Sequence, residues 1–189
     1  MLKYSKVVDT KKGLCEVGLG TNSAYYESIG MVLRDVDQSD IDGCWYLVEK
    51  CPHKSDTQKL QEAKEAKYKE ANDGAKSYID NEALFEFEEG KHIEATDGNI
   101  AKMTAYALAF VTGQLEPTDT VVWNTKEDET VELTQEQIGY IIAGLGQVQA
   151  LVWAVKYPYF VQLIDAASTV EEVESIVIDY TIEINTEEE

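Results

Sequence analysis

Residues 138–155 read IGYIIAGLGQVQALVWAV, and these eighteen residues carry no charge. Apolar side chains recur in this segment at the spacing of an α-helix, which predicts a helix with one face in a core. The larger members of that face are Ile138, Ile141, Ile142, Leu145, Val148, Val152 and Val155. The preceding Thr134-Gln135-Glu136-Gln137 is a capping box that predicts where the helix begins. Pro158 predicts a kink or an end, because proline lacks an N–H and its ring opposes the carbonyl of Ala154.

A second stripe along the same predicted helix consists of small residues. These are Gly139, Ala143, Gly146, Ala150 and Ala154. Small side chains let another backbone come close, so we predict that this stripe is an interface. A second copy of the chain is one candidate to occupy it, which would make the protein a homo-oligomer.

The length of the uncharged segment also reaches the lower bound for a transmembrane helix. However, Gln147, Gln149, the three glycines of the segment and the capping box before it are typical of a buried helix in a water-soluble protein. We therefore predict a core helix and no membrane association.

The sequence around this helix predicts an α+β domain over residues 79–189. Before the helix, alternating apolar residues interrupted by turn-forming residues predict two β-hairpins, at 83–95 and 121–133. Between the hairpins, Thr96–Asn99 predicts the cap of a helix that ends at Gly113.

After the long helix, the sequence predicts three further features. Thr169–Glu172 is a capping box for a short helix. Alternating apolar residues over 176–184 predict a strand. The acidic residues 185–189 are expected to be frayed.

Residues 1–52 are predicted to form a small β-rich module. Short apolar runs separated by turn-forming residues favour a hairpin or meander. The expected strands cover residues 6–9, 14–19, 30–36 and 44–49. Residues 53–78 are rich in Lys, Glu, Ala and Gln and poor in large apolar side chains, which predicts a solvent-exposed helical connector. The predicted fold class is α+β, with an N-terminal β-rich module, a polar connector and a C-terminal α+β domain.

The composition restricts the partners of the protein. The 189 residues include 16 Lys and Arg against 36 Asp and Glu, a formal net charge of −20. Such a surface repels phosphate groups, so we expect no nucleic acid and no membrane as a partner. Three cysteines, Cys15, Cys44 and Cys51, favour reduced thiols in an intracellular compartment. The opening MLKYSK has no apolar run, so we expect that the protein is not secreted by a signal peptide.

The sequence contains no recognisable motif for catalysis or cofactor binding. A nucleophile elbow, a P-loop, an H-E-x-x-H helix and a dinucleotide-binding glycine fingerprint are all missing from it. Gly18 and Gly20 lack a third glycine in register and favour a turn. We predict no catalytic residues, no cofactor, no small-molecule substrate and no enzymatic activity.

Cysteine and histidine side chains suggest a metal site only at first sight. Cys44, Cys51 and His53 lack C-x2-C spacing and a second pair of ligands. His53 and His92 are each next to a lysine and are expected to be exposed.

Four aspartates form an acidic stretch between two predicted strands: Asp35, Asp37, Asp40 and Asp42. A calcium loop that began at Asp35 would need glycine at its sixth position and glutamate at its twelfth, where the sequence has Asp40 and Tyr46. We predict an acidic turn here, and no metal site in the chain.

Four features of the second half occur together. They are Val122-Trp123-Asn124-Thr125 with an acidic turn, Val131–Gln137, the long apolar helix, and Leu163–Val173. Over about residues 55–178 the chain resembles an uncharacterised domain family found at the C-termini of bacteriophage tail and tail-fibre-associated proteins. Tyr157-Pro158-Tyr159 and the closing strand depart from the family pattern.

This resemblance implies a phage or prophage tail-associated protein that acts through protein–protein contacts and is not an enzyme. It would be a virion structural component near the fibre or baseplate, or a tail-fibre assembly factor, with other phage tail proteins as partners. Its expected location is the phage tail of the virion or the bacterial host cytoplasm. The acidic composition leaves one alternative open, an inhibitor that mimics nucleic acid and occupies a basic groove of a host enzyme.

Overall fold

The protein is an α+β structure made of two compact units. The computed structural model describes residues 1–182. Contacts within it divide the chain into Met1–Gln61 and a second unit that starts at Glu62. Strands dominate the N-terminal region and helices the rest, which confirms the predicted fold class.

Four short antiparallel strands form a closed barrel in the first unit. They are β1 (Leu2–Asp9), β2 (Leu14–Val17), β3 (Val32–Gln38) and β4 (Trp45–Leu47). The order around the barrel is β1-β2-β4-β3, and β3 pairs back onto β1. The interior is filled by Cys15, Met31, Val36 and Tyr46. The predicted strands are confirmed, and closure leaves no unpaired sheet edge.

A short helix that the sequence did not predict, α1, spans Ser23–Ser28. The side chain of Asn22 caps it by accepting a hydrogen bond from the N–H of Tyr25 at 3.1 Å. No residue of α1 is buried, so its sequence lacks the apolar periodicity by which helices are recognised.

The second unit combines two hairpins with a group of helices. The hairpin strands are β5 (Leu84–Glu88), β6 (Lys91–Glu94), β7 (Val121–Asn124) and β8 (Thr130–Leu133). The helices are α2 (Asp56–Asn81), which begins just before the division between the units, α3 (Asp97–Val111), α4 (Gln135–Leu151), α5 (Tyr157–Ala166) and α6 (Val170–Ser175). Both predicted hairpins are confirmed. So are the three predicted caps, because Thr96, Thr134 and Thr169 each accept a hydrogen bond from a backbone N–H in the first turn.

The hairpins, α3 and α4 enclose the larger apolar cluster of this unit. Its buried members are Ala83, Ile93, Ala95, Met103, Phe110, Val121, Leu133, Ile138, Ile141 and Leu145. Fully burying one large apolar side chain contributes roughly 1.5–3 kcal/mol. Three such side chains on α4, Ile138, Ile141 and Leu145, are completely buried, so this face fixes the helix against the hairpins.

The prediction that residues 53–78 form a solvent-exposed connector is wrong for the second half of α2. Ala71, Ala75 and Ile79 are buried in a second cluster together with Val152, Phe160, Ile164 and Tyr180. Alanines spaced four residues apart present a flat strip on which larger side chains pack, although they add little apolar area of their own. Hydropathy alone therefore underestimated the burial of this helix.

Of the two outcomes predicted at Pro158, a kink or an end of the long helix, the end is wrong. A π-helical turn, Val152–Lys156, joins α4 to α5, and the N–H of Tyr157 donates to the carbonyl of Val152 five residues earlier. This change of register places Pro158 in the first turn of α5, directly after the π-helical turn, where the helix accommodates the proline ring and the missing N–H. The helix thus continues from Gln135 to Ala166.

The predicted strand over 176–184 is wrong for residues 176–182, which are irregular. Residues 183 and 184 lie outside the described residues, as do the acidic residues 185–189, which were expected to be frayed. The alternation arises because Tyr180 and its neighbours pack against α2. The hydroxyl of Tyr180 donates to the carbonyl of Ala71 at 2.7 Å. Lys67 donates to the carbonyl of Ile176 and Lys156 to that of Tyr180, so lysine side chains, not a neighbouring strand, satisfy these carbonyls.

One glycine of α4 permits the closest contact between this helix and a hairpin. A Cβ atom on Gly144 would lie 2.1 Å from the ring of Phe85 on β5, far inside van der Waals contact. Phe85 packs against the larger cluster, and its ring centroid is 5.4 Å from that of Tyr140. By contrast, Gly146 has open space around its missing Cβ.

We expect Gly144→Ala to lower the free energy of unfolding by about 1–3 kcal/mol, because the added methyl displaces Phe85 from the core. Gly146→Ala is the matched control on the same helix. It should leave stability unchanged or raise it by up to about 1 kcal/mol, because alanine favours a helix over glycine. Urea unfolding of the two variants measures the difference, and equal effects would contradict the proposed contact.

Candidate functional site

The predicted interface stripe lies on α4 and the π-helical turn that follows it, on the side that faces away from the core. All five residues, Gly139, Ala143, Gly146, Ala150 and Ala154, are exposed. The space beside Gly139 and Gly146 is open. The structure therefore brings the stripe together as one surface, whereas Gly144, which the prediction did not single out, is the glycine that serves packing inside the unit.

Three large side chains flank the stripe, and the prediction missed two of them, Tyr140 and Leu151. Tyr140, Leu151 and Trp153 are 57%, 49% and 37% exposed. We call the stripe together with these three residues the exposed apolar face. Their positions could have been predicted from the sequence, because large side chains next to the stripe lie outside the face of the helix that packs in the core.

The unit that contains this face is strongly acidic. Residues 1–61 contain 8 Lys and Arg and 9 Asp and Glu, a net charge of −1, whereas residues 62–189 contain 8 and 27, a net charge of −19. The sequence has no charged residue between Glu136 and Lys156, so the face is uncharged within the most charged part of the chain. Contiguous exposed apolar patches on proteins mark binding surfaces.

Gln135–Ala166 is also long and apolar enough to cross a membrane, by length and composition alone, and 28% of its most apolar window is buried. The polar side chain of Gln149 is used within the unit. Its Nε2 donates to the carbonyl of Ala95 at 2.8 Å and to Asp97 at 2.9 Å. These bonds connect the helix to the start of α3.

His92 joins the two hairpins of the second unit through Glu127. The N–H of His92 donates to Oε2 of Glu127 at 3.0 Å, and Nδ1 lies 2.8 Å from Oε1. The backbone bond from His92 is the main cause that lowers the pKa of Glu127 to about 2. The imidazole is half-buried, in contrast to the expected exposure, and its contacts indicate a structural role.

The structure groups different ligands in the first unit from those considered in the sequence. The Oδ atom of Asp37, Sγ of Cys51 and a ring nitrogen of His53 all lie within 4.8 Å of one another. Cys44 is exposed and does not belong to this group. Burial, followed by the charges of nearby aspartates including Asp37, raises the pKa of the Cys51 thiol. Sequence spacing did not reveal the group, because Asp37 comes from the end of β3, fourteen positions before Cys51.

The predicted turn at Gly18 and Gly20 is occupied by its own contacts. The N–H of Gly18 donates to the carbonyl of Tyr4, and that of Gly20 donates to the hydroxyl of Tyr26. A Cβ on Gly18 would lie 2.6 Å from the ring of Tyr26. These N–H groups are therefore not directed at a phosphate.

Comparisons of the chain with protein-family models, with curated proteins and with solved structures found no match.

We expect Glu127→Gln to destabilise the protein above pH 4.5 and to lose this effect in acid. A carboxylate whose pKa falls from 4.5 to about 2 on folding stabilises the folded state above 4.5, and this contribution disappears as the pH falls towards 2. The difference in melting temperature between wild type and variant should therefore shrink across that interval.

Glu129→Gln, in the same turn, is the control for removing one negative charge. If the difference for Glu127→Gln stays constant down to about pH 2, the lowered pKa of this carboxyl is refuted.

Proposed function

We propose that this chain is a non-enzymatic, tail-associated protein of a phage or prophage that acts through protein–protein contacts. The observation that carries the proposal is the exposed apolar face of α4. Exposing Tyr140, Leu151 and Trp153 to water is unfavourable, and covering them in a complex would recover the free energy of burial, roughly 25 cal/mol per Å² of apolar surface.

The resemblance to the tail-associated family supports the phage context. Its motifs occupy structural positions in the second unit: Trp123 and Val131, from the two strands of one hairpin, pack against the larger cluster. Thr134 and Thr169 cap helices. Residues that shape a core and its helix ends are what a building block of an assembly requires, and they supply no reactive group.

The surface chemistry favours an apolar partner surface of a tail component or of a second copy. Association of two copies brings two units of net charge −19 together, so apolar contact has to outweigh repulsion. Self-association should accordingly strengthen with added salt, because salt screens the repulsion but leaves the apolar contact.

To test the face, we would measure the mass of the full chain by size-exclusion chromatography with light scattering, without detergent. Wild type should form an oligomer of the 21.2 kDa chain, and Ala143→Glu/Ala150→Glu should reduce its mass. The matched control is Ala101→Glu/Ala105→Glu, which places the same two charges at exposed positions of α3 and should not change the mass. A monomeric wild type would exclude a second copy as the occupant, and a requirement for detergent would contradict the proposed function.

The tail context has its own test. Tail genes should flank the gene for this chain. Mass spectrometry should detect the chain in purified phage particles if it is a structural component. If it is an assembly factor, the chain should be detected in the producing cells but not in the particles. If none of the neighbouring genes encodes a virion component, both the structural role and the assembly role are contradicted.

One observation favours a second candidate function, an inhibitor that mimics nucleic acid. Most of the negative charge is concentrated in the second unit. Salt-sensitive binding of the chain to a basic host nucleic-acid enzyme, unaffected by Ala143→Glu/Ala150→Glu, would support this candidate over the first.

A further inference from the structure

Three different metal-ligating side chains meet at the end of β3 in the first unit. Oδ2 of Asp37 is 3.4 Å from Nε2 of His53, and Sγ of Cys51 completes the group within 4.8 Å. In a tetrahedral zinc site with bonds of roughly 2.0–2.3 Å, neighbouring donor atoms are roughly 3.3–3.8 Å apart. The carboxylate and the imidazole already have this spacing, and the sulfur, within 4.8 Å of both, would have to move closer when an ion binds.

The carboxylate of Asp37 is held with one oxygen towards the group. Its Oδ1 accepts a hydrogen bond from the N–H of Gln38 at 2.9 Å, whereas Oδ2 faces His53. The oxygen needed as a ligand is therefore the one that is not used by the backbone of the loop.

The imidazole of His53 is oriented from its other side. Nδ1 lies 3.5 Å from Oδ1 of Asp40. Asp40 is itself held by the N–H of Lys54 at 2.7 Å and by Lys59 at 3.5 Å. A carboxylate beside the distal nitrogen of a ligating histidine orients the ring, and such an arrangement is usual around a bound metal.

Two other possible ligands nearby, Asp42 and Cys44, make contacts of their own. Asp42 accepts from the N–H of Cys44 through Oδ1 and from the hydroxyl of Tyr46 through Oδ2. The thiol of Cys44 is exposed and points to the carbonyl of Asp42 at 3.9 Å. The local bonds thus separate the three ligands from other acidic and sulfur groups nearby.

We propose that Asp37, Cys51 and His53 bind one divalent transition-metal ion of the zinc class, with water as the fourth ligand. One sulfur, one nitrogen and one oxygen suit zinc or cobalt, and they do not suit magnesium or calcium, which take oxygen ligands. The exposed edge of His53 leaves room for the water. Binding releases the thiol proton to solvent and leaves a thiolate on the metal.

Such an ion would connect the barrel to the segment that leads into α2. Asp37 is the penultimate residue of β3, whereas Cys51 and His53 precede Asp56, where the helix begins. Because an ion that binds only the folded state stabilises that state, the metal should raise the melting temperature of the protein.

The test is a titration of the full, reduced chain with Co²⁺, followed by absorbance. We expect a thiolate-to-cobalt charge-transfer band that saturates at about one ion per chain and disappears when Zn²⁺ is added. Cys51→Ser should abolish the band. His53→Gln and Asp37→Asn should weaken binding at least about tenfold, and Asp40→Asn by about 10–100-fold.

Cys44→Ser is the matched control, seven residues away, and should keep both the band and the affinity. Far-ultraviolet circular dichroism of every variant without metal shows whether it is folded. Zn²⁺ should raise the melting temperature of Cys44→Ser as much as that of wild type, and the melting temperatures of the four other variants by less. The absence of a charge-transfer band in wild type, or a band that survives Cys51→Ser, would overturn the proposal.

Discussion

Burial of one side of an uncharged helix is the constraint on which the second unit depends. Ile138, Ile141 and Leu145 leave water completely, and Gly144 lets the ring of Phe85 reach the helix backbone. The two hairpins and α3 are arranged around this contact, and their own apolar residues complete the cluster. The cluster covers one side of this uncharged helix, and the opposite side remains exposed. The candidate interface is therefore a direct consequence of how the core is built.

The second cluster shows how a charged residue is accommodated next to such a helix. Lys156 belongs to the π-helical turn and is buried, where its ammonium group donates to the carbonyl of Tyr180 and lies 5.3 Å from the ring centroid of Tyr78. A buried ammonium group needs such partners because its loss of hydration is costly. This lysine and Lys67 hold the irregular segment that follows α6 against α2, which explains why a sequence with the period of a strand forms none over residues 176–182.

The first unit differs from the second in charge and in chemistry. Its net charge is close to zero, its strands close into a small barrel, and a sulfur, an imidazole and a carboxylate meet beside the end of β3. The candidate functions are accordingly separate: apolar contact in the second unit and metal binding in the first. The exposed apolar face is the candidate contact surface of an assembly, and the ligand group is a candidate site for an ion that would stabilise the first unit.

Local features were predictable because they depend on residues close together in the chain. The capping boxes at Thr134 and Thr169, the hairpins and the small-residue stripe each follow from a pattern within a few positions, and the structure contains them. The passage of the helix through Pro158 depends on a π-helical turn, which the apolar pattern does not mark. The burial of α2 and the grouping of Asp37 with Cys51 and His53 depend on segments distant in sequence. Only packing decides such features. What the rest of the chain places beside an alanine strip determines whether the strip is buried or exposed, and in the same way whether a carboxylate is a ligand or a surface charge.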